Sequence, residues 1–192
     1  MHVFSIFFEL GWQHILDWQG YDHILFVAAL CGIYMIYDWR KILILVTAFT
    51  IGHSFSLALS VFNFILMPYT VVEFLIPITI MTTALINIFF KKVSQGKFNP
   101  IYVLALVFGI IHGLGFSNYL KSLLGKSSNV IAELLAFNLG LEFGQIIIVF
   151  SVLIISFVTI NQFKVQKRDW NLFLSSAIFG IALIMAIERF PF

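Results

Sequence analysis

Long apolar runs alternate with short polar or turn-forming segments along nearly the whole chain. Each run approaches or exceeds the ~20 residues that an α-helix needs to cross the hydrocarbon core of a bilayer. We therefore predict an all-α integral membrane protein, a bundle of about six transmembrane helices in a single domain that covers residues 1–192. The predicted helices lie near residues 21–37, 41–67, 71–90, 100–120, 130–160 and 170–187.

The segment 1–19 follows a different pattern. Phe4, Phe8, Trp12 and Ile15 recur at helical spacing, with polar residues such as Glu9 between them. Apolar residues on one face and polar residues on the other are typical of a helix that lies in the membrane interface. We therefore expect a short interfacial helix before the first crossing.

Composition excludes a water-soluble domain. Hydrophobic residues make up 61% of the chain, charged residues only 10%, and the mean hydropathy is +1.03. Cys31 is the only cysteine, so an intrachain disulfide and a thiolate-rich metal site are excluded. The net charge of +2 is small, and we expect no nucleic-acid partner.

The basic residues predict the orientation of the chain. Cytoplasmic loops of membrane proteins carry the excess of Lys and Arg. With the N-terminus outside, eight basic residues fall on the inner side and three on the outer side, which favours both termini outside. The inner set is Arg40, Lys41, Lys91, Lys92, Lys97, Lys164, Lys167 and Arg168, and the outer set is Lys121, Lys126 and Arg189.

Ionisable side chains interrupt the apolar runs. Each costs roughly 2.5–3.5 kcal/mol at a helix centre on insertion scales, so such groups usually face the bundle interior and mark a site or a pathway. A rise of ~1.5 Å per residue places His53, His112 and Glu142 at similar depths near the midplane. Four further groups, predicted nearer the outer end, extend these three into a path: His14, Asp22, His23 and Glu73.

Helical spacing indicates that the polar groups face one interior. Asn138, Glu142 and Gln145 share a face of the fifth predicted helix, and Thr50 and His53 share a face of the second. On the third helix Glu73 and Asn87 align with Pro77, whose ring frees a backbone carbonyl.

Imidazole and carboxylate ligands without thiolate suit borderline divalent metals, namely nickel, cobalt, zinc or iron. We predict that three residues, His53, His112 and Glu142, converge on one metal centre. The full set of predicted ligands is His14, Asp22, His23, His53, His112 and Glu142. Residues predicted to orient the ligands or to line the pathway are Glu73, Asn87, Asn138 and Gln145.

Residues 49–56 and 108–115 contain a faint echo of each other. Each segment has a Phe four residues before a His, at His53 and at His112, followed by small residues. One interpretation is an internal duplication, as in many transporters. The other is that the small residues let two helices pack closely.

Several segments resemble motifs of the HupE/UreJ family of small membrane proteins. Residues 14–26 place His14 ahead of the pair Asp22-His23, as the first motif of that family does. The strings at 47–54, 112–116 and 137–145 are similar to motifs of the second branch of the family. This resemblance implies a nickel or cobalt permease in the bacterial inner membrane, whose partners are the lipid bilayer and the metal ion, with a homo-oligomer or another membrane partner left open.

Two other functions fit the same residues. One is a metal-dependent intramembrane hydrolase, in which three ligands hold an ion with an activated water and Glu142 or Asp22 acts as base. The chain has no HExxH motif and no GxxxxGK[ST] motif for ATP, and the candidate nucleophiles of a serine hydrolase, Ser54, Ser56 and Ser117, lack a GxSxG elbow. The other is a non-catalytic membrane subunit whose polar residues only hold helices together. The pattern favours the permease.

Overall fold

The computed structural model describes residues 2–65, 67–89, 100–124 and 129–191. Across these ranges the chain forms α-helices, one 3-10 turn at Ile36–Asp38 and no strand, which confirms the all-α prediction. The helices are α1 (His2–Ile15), α2 (Asp22–Cys31), α3 (Trp39–Val61), α4 (Tyr69–Phe89), α5 (Pro100–Leu124), α6 (Val130–Asn161) and α7 (Lys167–Glu188).

Five of these helices, α3 to α7, are long and apolar enough to cross a membrane. Large apolar side chains cover their outward faces, as on α3, where Ile51 and Phe55 are more than half exposed while Phe49 is buried. Apolar residues on the outside as well as the inside are typical of a bundle surrounded by lipid. The chain is thus a multi-pass membrane protein.

Helix α2 is shorter than the predicted crossing at 21–37. It ends at Cys31, where the carbonyl of Ala29 accepts hydrogen bonds from Gly32 N–H at 3.1 Å and from the side-chain amide of Asn87 at 2.6 Å. Ten residues span only about 15 Å, half of a bilayer core. The expected six crossings are therefore five long helices and one short helix in the described residues.

Helix α1 packs along α6 instead of lying apart in the interface, which corrects the expected placement. The contact is close because it is made through glycine. A Cβ atom at Gly11 would collide with the carbonyl oxygen of Phe137, and one at Gly140 would collide with the carbonyl oxygen of Phe8. Gly140 meets Phe8 and Gly144 meets Trp12, so the paired positions rise together along both helices and α1 runs parallel to α6.

Helices α3 and α5 form a second close pair in the same way. A Cβ at Gly52 would collide with the carbonyl oxygen of Leu106, and one at Gly109 would collide with that of Phe49. Gly113 faces the backbone of His53. Small residues at a helix interface let two backbones approach closely in a membrane. The echo between residues 49–56 and 108–115 thus corresponds to a contact between these two segments, which supports the close-packing interpretation.

The two pairs share one contact register. Phe8 and Gly11 of α1 meet α6 in the way that Phe49 and Gly52 of α3 meet α5. Both pairs carry histidines, because His14 lies one residue before the end of α1 while His53 and His112 lie on α3 and α5. The packing of these pairs fixes the backbones that support the site.

Candidate metal centre

Three candidate residues lie at a break between two short helices. His14 is one residue from the end of α1, and Asp22 and His23 are the first residues of α2. Residues 16–21 between them are not helical. Breaks in membrane helices are tolerated where they line a cavity, and transporters use them to present ligands to ions.

His14, His23 and His53 form one group, which we call the histidine triad. Each residue offers a ring nitrogen, and the three nitrogens lie within 4.8 Å of one another. The ring centroid of His14 lies 4.7 Å from that of His23 and 6.3 Å from that of His53. An ion held at about 2.1 Å by each nitrogen would bring the nitrogens to about 3.4 Å apart, so shifts of about 1 Å would complete the coordination.

His112 lies next to the triad. Its ring centroid is 5.1 Å from that of His23, in an edge-on arrangement. Its Nε2 lies 3.0 Å from the hydroxyl oxygen of Thr79, so this nitrogen already has a hydrogen-bond partner. Nδ1 has no hydrogen-bond partner among the described residues. His112 therefore lies beside the triad with one unpartnered ring nitrogen.

Most imidazole nitrogens in this region are buried without a hydrogen-bond partner among the described residues. A buried polar atom left unpaired costs about 1–3 kcal/mol, and native proteins rarely collect such atoms in one place. Coordination of a cation would satisfy them. The atoms are Nε2 of His14, Nε2 of His23, both ring nitrogens of His53, and Nδ1 of His112.

Asp22 holds His23 in one orientation. Its Oδ1 lies 2.9 Å from Nδ1 of His23 and also accepts the backbone N–H of His23 at 2.8 Å. A carboxylate on Nδ1 requires the proton there, which leaves the lone pair on Nε2. Metal-binding histidines are commonly oriented in this way. Asp22 was predicted as a ligand, and the contacts of its Oδ1 are those of a residue that orients a ligand.

An open cavity of about 390 Å³ leads to these residues, and we call it the vestibule. Glu73 on α4, which was predicted to line a pathway, is also at the wall of this cavity. Its acidic walls would attract cations. The lining that matters here is Asp17, Asp22, Glu73, Arg189, His14, His23 and His112.

Glu142 does not join His53 and His112, so the predicted three-residue centre does not form. Its Oε1 accepts a hydrogen bond of 2.8 Å from the hydroxyl of Thr47. The group able to share one ion in the described part of the chain is the triad. Axial rise predicts the depth of a side chain but not its rotation about the helix, and this is where the inference failed.

A polar trail continues from the triad along α3 and α6. Thr50, three residues before His53, donates a hydrogen bond of 2.7 Å to Oε1 of the fully buried Gln145. The pair Thr47 and Glu142 follows one turn further along. We call these four residues the polar trail. Gln145 was predicted to line the pathway; the structure places it in this buried contact, and its role in a pathway stays a prediction.

The remaining two predicted residues, Asn138 and Asn87, donate hydrogen bonds to backbone carbonyls of helices. Asn138 donates to the carbonyl of Leu134 on its own helix at 2.7 Å. Asn87 caps α2 at Ala29 and lines another cavity with Asn171, Lys167 and Arg168. Neither contact involves a histidine.

Sequence reasoning missed Arg189 as part of the site and counted it only as a loop charge. Its Nη1 lies 3.3 Å from Oδ2 of Asp22 and 3.2 Å from Oε2 of Glu73. The available signal was its position directly after an apolar helix, within reach of the predicted outer acidic groups.

Five long apolar helices, with histidines gathered in the interior beside an acidic vestibule, define a multi-pass membrane protein with a candidate cation site. A family model described as HupE / UreJ protein matches residues 1–189. The chain therefore belongs to the HupE/UreJ family. No curated protein and no solved structure matches it.

Proposed function

We propose that this protein is a permease for a divalent transition metal, with nickel or cobalt as substrate and zinc as a competing ion. The histidine triad is the observation that carries the proposal, because three neutral imidazoles suit these metals and not the alkali or alkaline-earth ions. The HupE/UreJ family is associated with nickel and cobalt transport, which agrees with this ligand chemistry.

The proposed path has three stages. The carboxylates of the vestibule collect a hydrated cation from solution. The triad then replaces part of the hydration shell with imidazole nitrogens, aided by the adjacent His112. The polar trail receives the ion next, through the oxygens of Gln145 and Glu142. Oxygen ligands bind these metals more weakly than imidazole, so the trail favours release.

The contacts support transport over hydrolysis. Of the two candidate bases, Asp22 is engaged by His23 and Arg189, and Glu142 is engaged by Thr47. The candidate serines donate hydrogen bonds to carbonyls of their own helices, so none is poised as a nucleophile. These are Ser54 to Thr50, Ser56 to His53, and Ser117 to Leu114.

A purely structural role for the histidines is disfavoured by their bonding. Polar residues that hold helices together do so by hydrogen bonds between helices. Both ring nitrogens of His53 lack such a bond within the described residues, although its side chain is fully buried.

Flux through purified protein tests the proposal. We expect proteoliposomes that contain a trapped metal-sensitive dye to take up nickel or cobalt faster than empty liposomes do, and magnesium to give no such signal. The dye response is followed by stopped-flow fluorescence. Metal that stays tightly bound to the protein, with no uptake above the empty control, would contradict the permease and favour the hydrolase.

We further propose that the protein lies in the bacterial inner membrane with both termini outside, because the basic residues divide eight to three. The evidence is the count itself. Four of the eleven, Lys91, Lys92, Lys97 and Lys126, lie outside the described residues.

Cysteine labelling in cells tests this orientation. Cys31 is only 1% exposed, so the native background should stay unlabelled. We expect Asn129→Cys to react with a membrane-impermeant maleimide in intact cells, and Gln162→Cys to react only after permeabilisation, because the two exposed positions flank α6. The reverse labelling pattern would show that both termini lie inside and that the vestibule opens to the cytoplasm.

A further inference from the structure

A single nitrogen of Arg189 bridges two carboxylates at the wall of the vestibule. Nη1 lies 3.3 Å from Oδ2 of Asp22 on α2 and 3.2 Å from Oε2 of Glu73 on α4. Arg189 itself directly follows the last residue of α7. Three helices therefore meet in one ionic contact. Two carboxylate oxygens converge on one cationic atom, which is the arrangement that a bound cation requires.

The contact is largely shielded from solvent. The side chain of Asp22 is 10% exposed, that of Glu73 22%, and that of Arg189 26%. Partial burial makes charge interactions stronger than those between fully exposed groups. A guanidinium also stays charged at every physiological pH. Arg189 thus reduces the charge of the Asp22 and Glu73 pair from two negative charges to one.

The same cavity presents an unpartnered ligand next to this contact. His23 is buried and lines the vestibule, and its Nε2 has no hydrogen-bond partner in the part of the chain that the structure describes, while its Nδ1 is held by Oδ1 of Asp22. Asp22 therefore connects Arg189 to the triad: one oxygen faces the histidine and the other faces the guanidinium. An ion that takes the place of Nη1 would therefore be separated from His23 of the triad by the Asp22 carboxylate alone.

We propose that Arg189 is a tethered competitor for the cation, which an incoming metal ion displaces from Asp22 and Glu73 before it reaches the triad. The inference rests on the proposed permease function. It explains how the entrance would select divalent over monovalent cations. A monovalent ion that replaces the guanidinium gains no charge and must compete with a group tethered at high effective concentration. A divalent ion brings one extra charge. Arg189 also keeps the entrance from holding the metal too tightly, since conduction needs binding weak enough to release the ion.

The competitor role and a purely bracing role have opposite signatures. If Arg189 competes with the metal, its removal strengthens metal binding and exposes the two carboxylates to sodium or potassium. If Arg189 only braces three helices, its removal loosens the site and weakens binding. The direction of the change in metal affinity therefore distinguishes the two roles.

Nickel affinity of the full chain in nanodiscs of zwitterionic lipid, measured by titration calorimetry with and without sodium chloride, tests the inference. We expect Arg189→Gln to bind nickel at least about tenfold more tightly than the wild type at low salt, since one opposing charge is removed at close range. Sodium should weaken binding more in this variant than in the wild type. Arg189→Lys retains the charge and should stay within about threefold of the wild type.

Lys121→Gln is the matched control, because it removes one positive charge from a residue that hydrogen-bonds Asn63 outside the contact. Its affinity should equal that of the wild type. Unchanged or weaker nickel binding in a folded Arg189→Gln protein, while the wild type binds nickel, would overturn the competitor role and leave the permease standing. A wild type that binds no nickel would overturn both.

If Arg189→Gln fails to fold, Glu73→Gln gives the second measurement. Arg189 then faces Asp22 alone and the contact carries no net charge. The competitor role predicts nickel binding at least about tenfold weaker than in the wild type at low salt. An unchanged affinity in Glu73→Gln would contradict it.

Discussion

His53→Leu should abolish high-affinity nickel and cobalt binding while leaving the fold at least as stable as the wild type. The triad loses one of three imidazoles, and the loss of a direct ligand should exceed the 10–100-fold effect typical of residues that only orient a ligand. Binding is measured by titration calorimetry on the purified protein. Uptake in proteoliposomes should fall to the empty-liposome level.

The stability part of this prediction follows from the unpaired nitrogens. The ring of His53 lies near the rings of Phe49 and Phe137, with centroids 6.0 and 6.5 Å away. Leucine has a similar volume and suits these apolar neighbours, and replacing an unsatisfied buried polar group by an apolar one is neutral or stabilising. The melting temperature without metal should therefore not fall.

Metal should stabilise the wild type and not the variant. A ligand at a hundred times its Kd stabilises the folded state by ~2.7 kcal/mol, and this shift should vanish in His53→Leu. Ser54→Ala is the matched control, because Ser54 neighbours His53 and its hydroxyl donates to the carbonyl of Thr50 on its own helix. A lower melting temperature in His53→Leu without metal, with nickel binding intact, would show that the histidine is structural.

The long helices were predictable because hydrophobic length is a local property of the sequence. Every run that became one of the five long helices is long enough to cross a membrane, and the helix continues through its isolated polar residues and, in α4, through Pro77. The end of α2 was not predictable in this way. Asn87 lies 58 positions further along the chain, and its bond to Ala29 arises only when α4 packs beside α2. A tertiary contact therefore shortened a run that local apolarity would have extended.

The placement of α1 could not be predicted, because it depends on glycines of two different helices that face each other only in the folded structure. Gly11 and Gly140 each remove a Cβ from the same interface, on helices more than a hundred residues apart in sequence. The amphipathic pattern of residues 1–19 was real, but it fits a helix beside a protein surface as well as one beside lipid headgroups. Without a partner, periodicity cannot distinguish the two.

The ligand chemistry of the site was predictable from the sequence, but the set of residues that come together was predictable only in part. Buried imidazoles are costly in a membrane, so His14, His23 and His53 stood out from their surroundings. Glu142 stood out for the same reason, yet it faces Thr47. Depth was estimated from axial rise, whereas membership of a centre depends on rotation and on the tilt between helices. Arg189 was missed because a charge at a helix end has an ordinary explanation in the orientation rule.

Asp22→Asn should weaken nickel binding by about 10–100-fold without unfolding the protein, because Asp22 orients a ligand through a charged contact. Its Oδ1 lies 2.9 Å from Nδ1 of His23. Asparagine keeps a carbonyl oxygen that can accept the same two hydrogen bonds from His23. What disappears is the negative charge that makes His23 a better donor to the metal and that pairs with Arg189. Affinity is measured by calorimetry, and folding by melting temperature without metal.

Asp17→Asn is the matched control for this change, since it removes one charge from the same vestibule. Oδ1 of Asp17 accepts the backbone N–H of Gln19 at 2.9 Å, and its carboxylate forms no hydrogen bond or ion pair with a histidine of the described residues. We expect a loss of only a few-fold there, from weaker long-range attraction that added salt should abolish. The loss in Asp22→Asn should persist in salt, because the contact with His23 is buried. Equal losses in the two variants, both removed by salt, would mean that Asp22 acts only as a vestibule charge and does not orient His23.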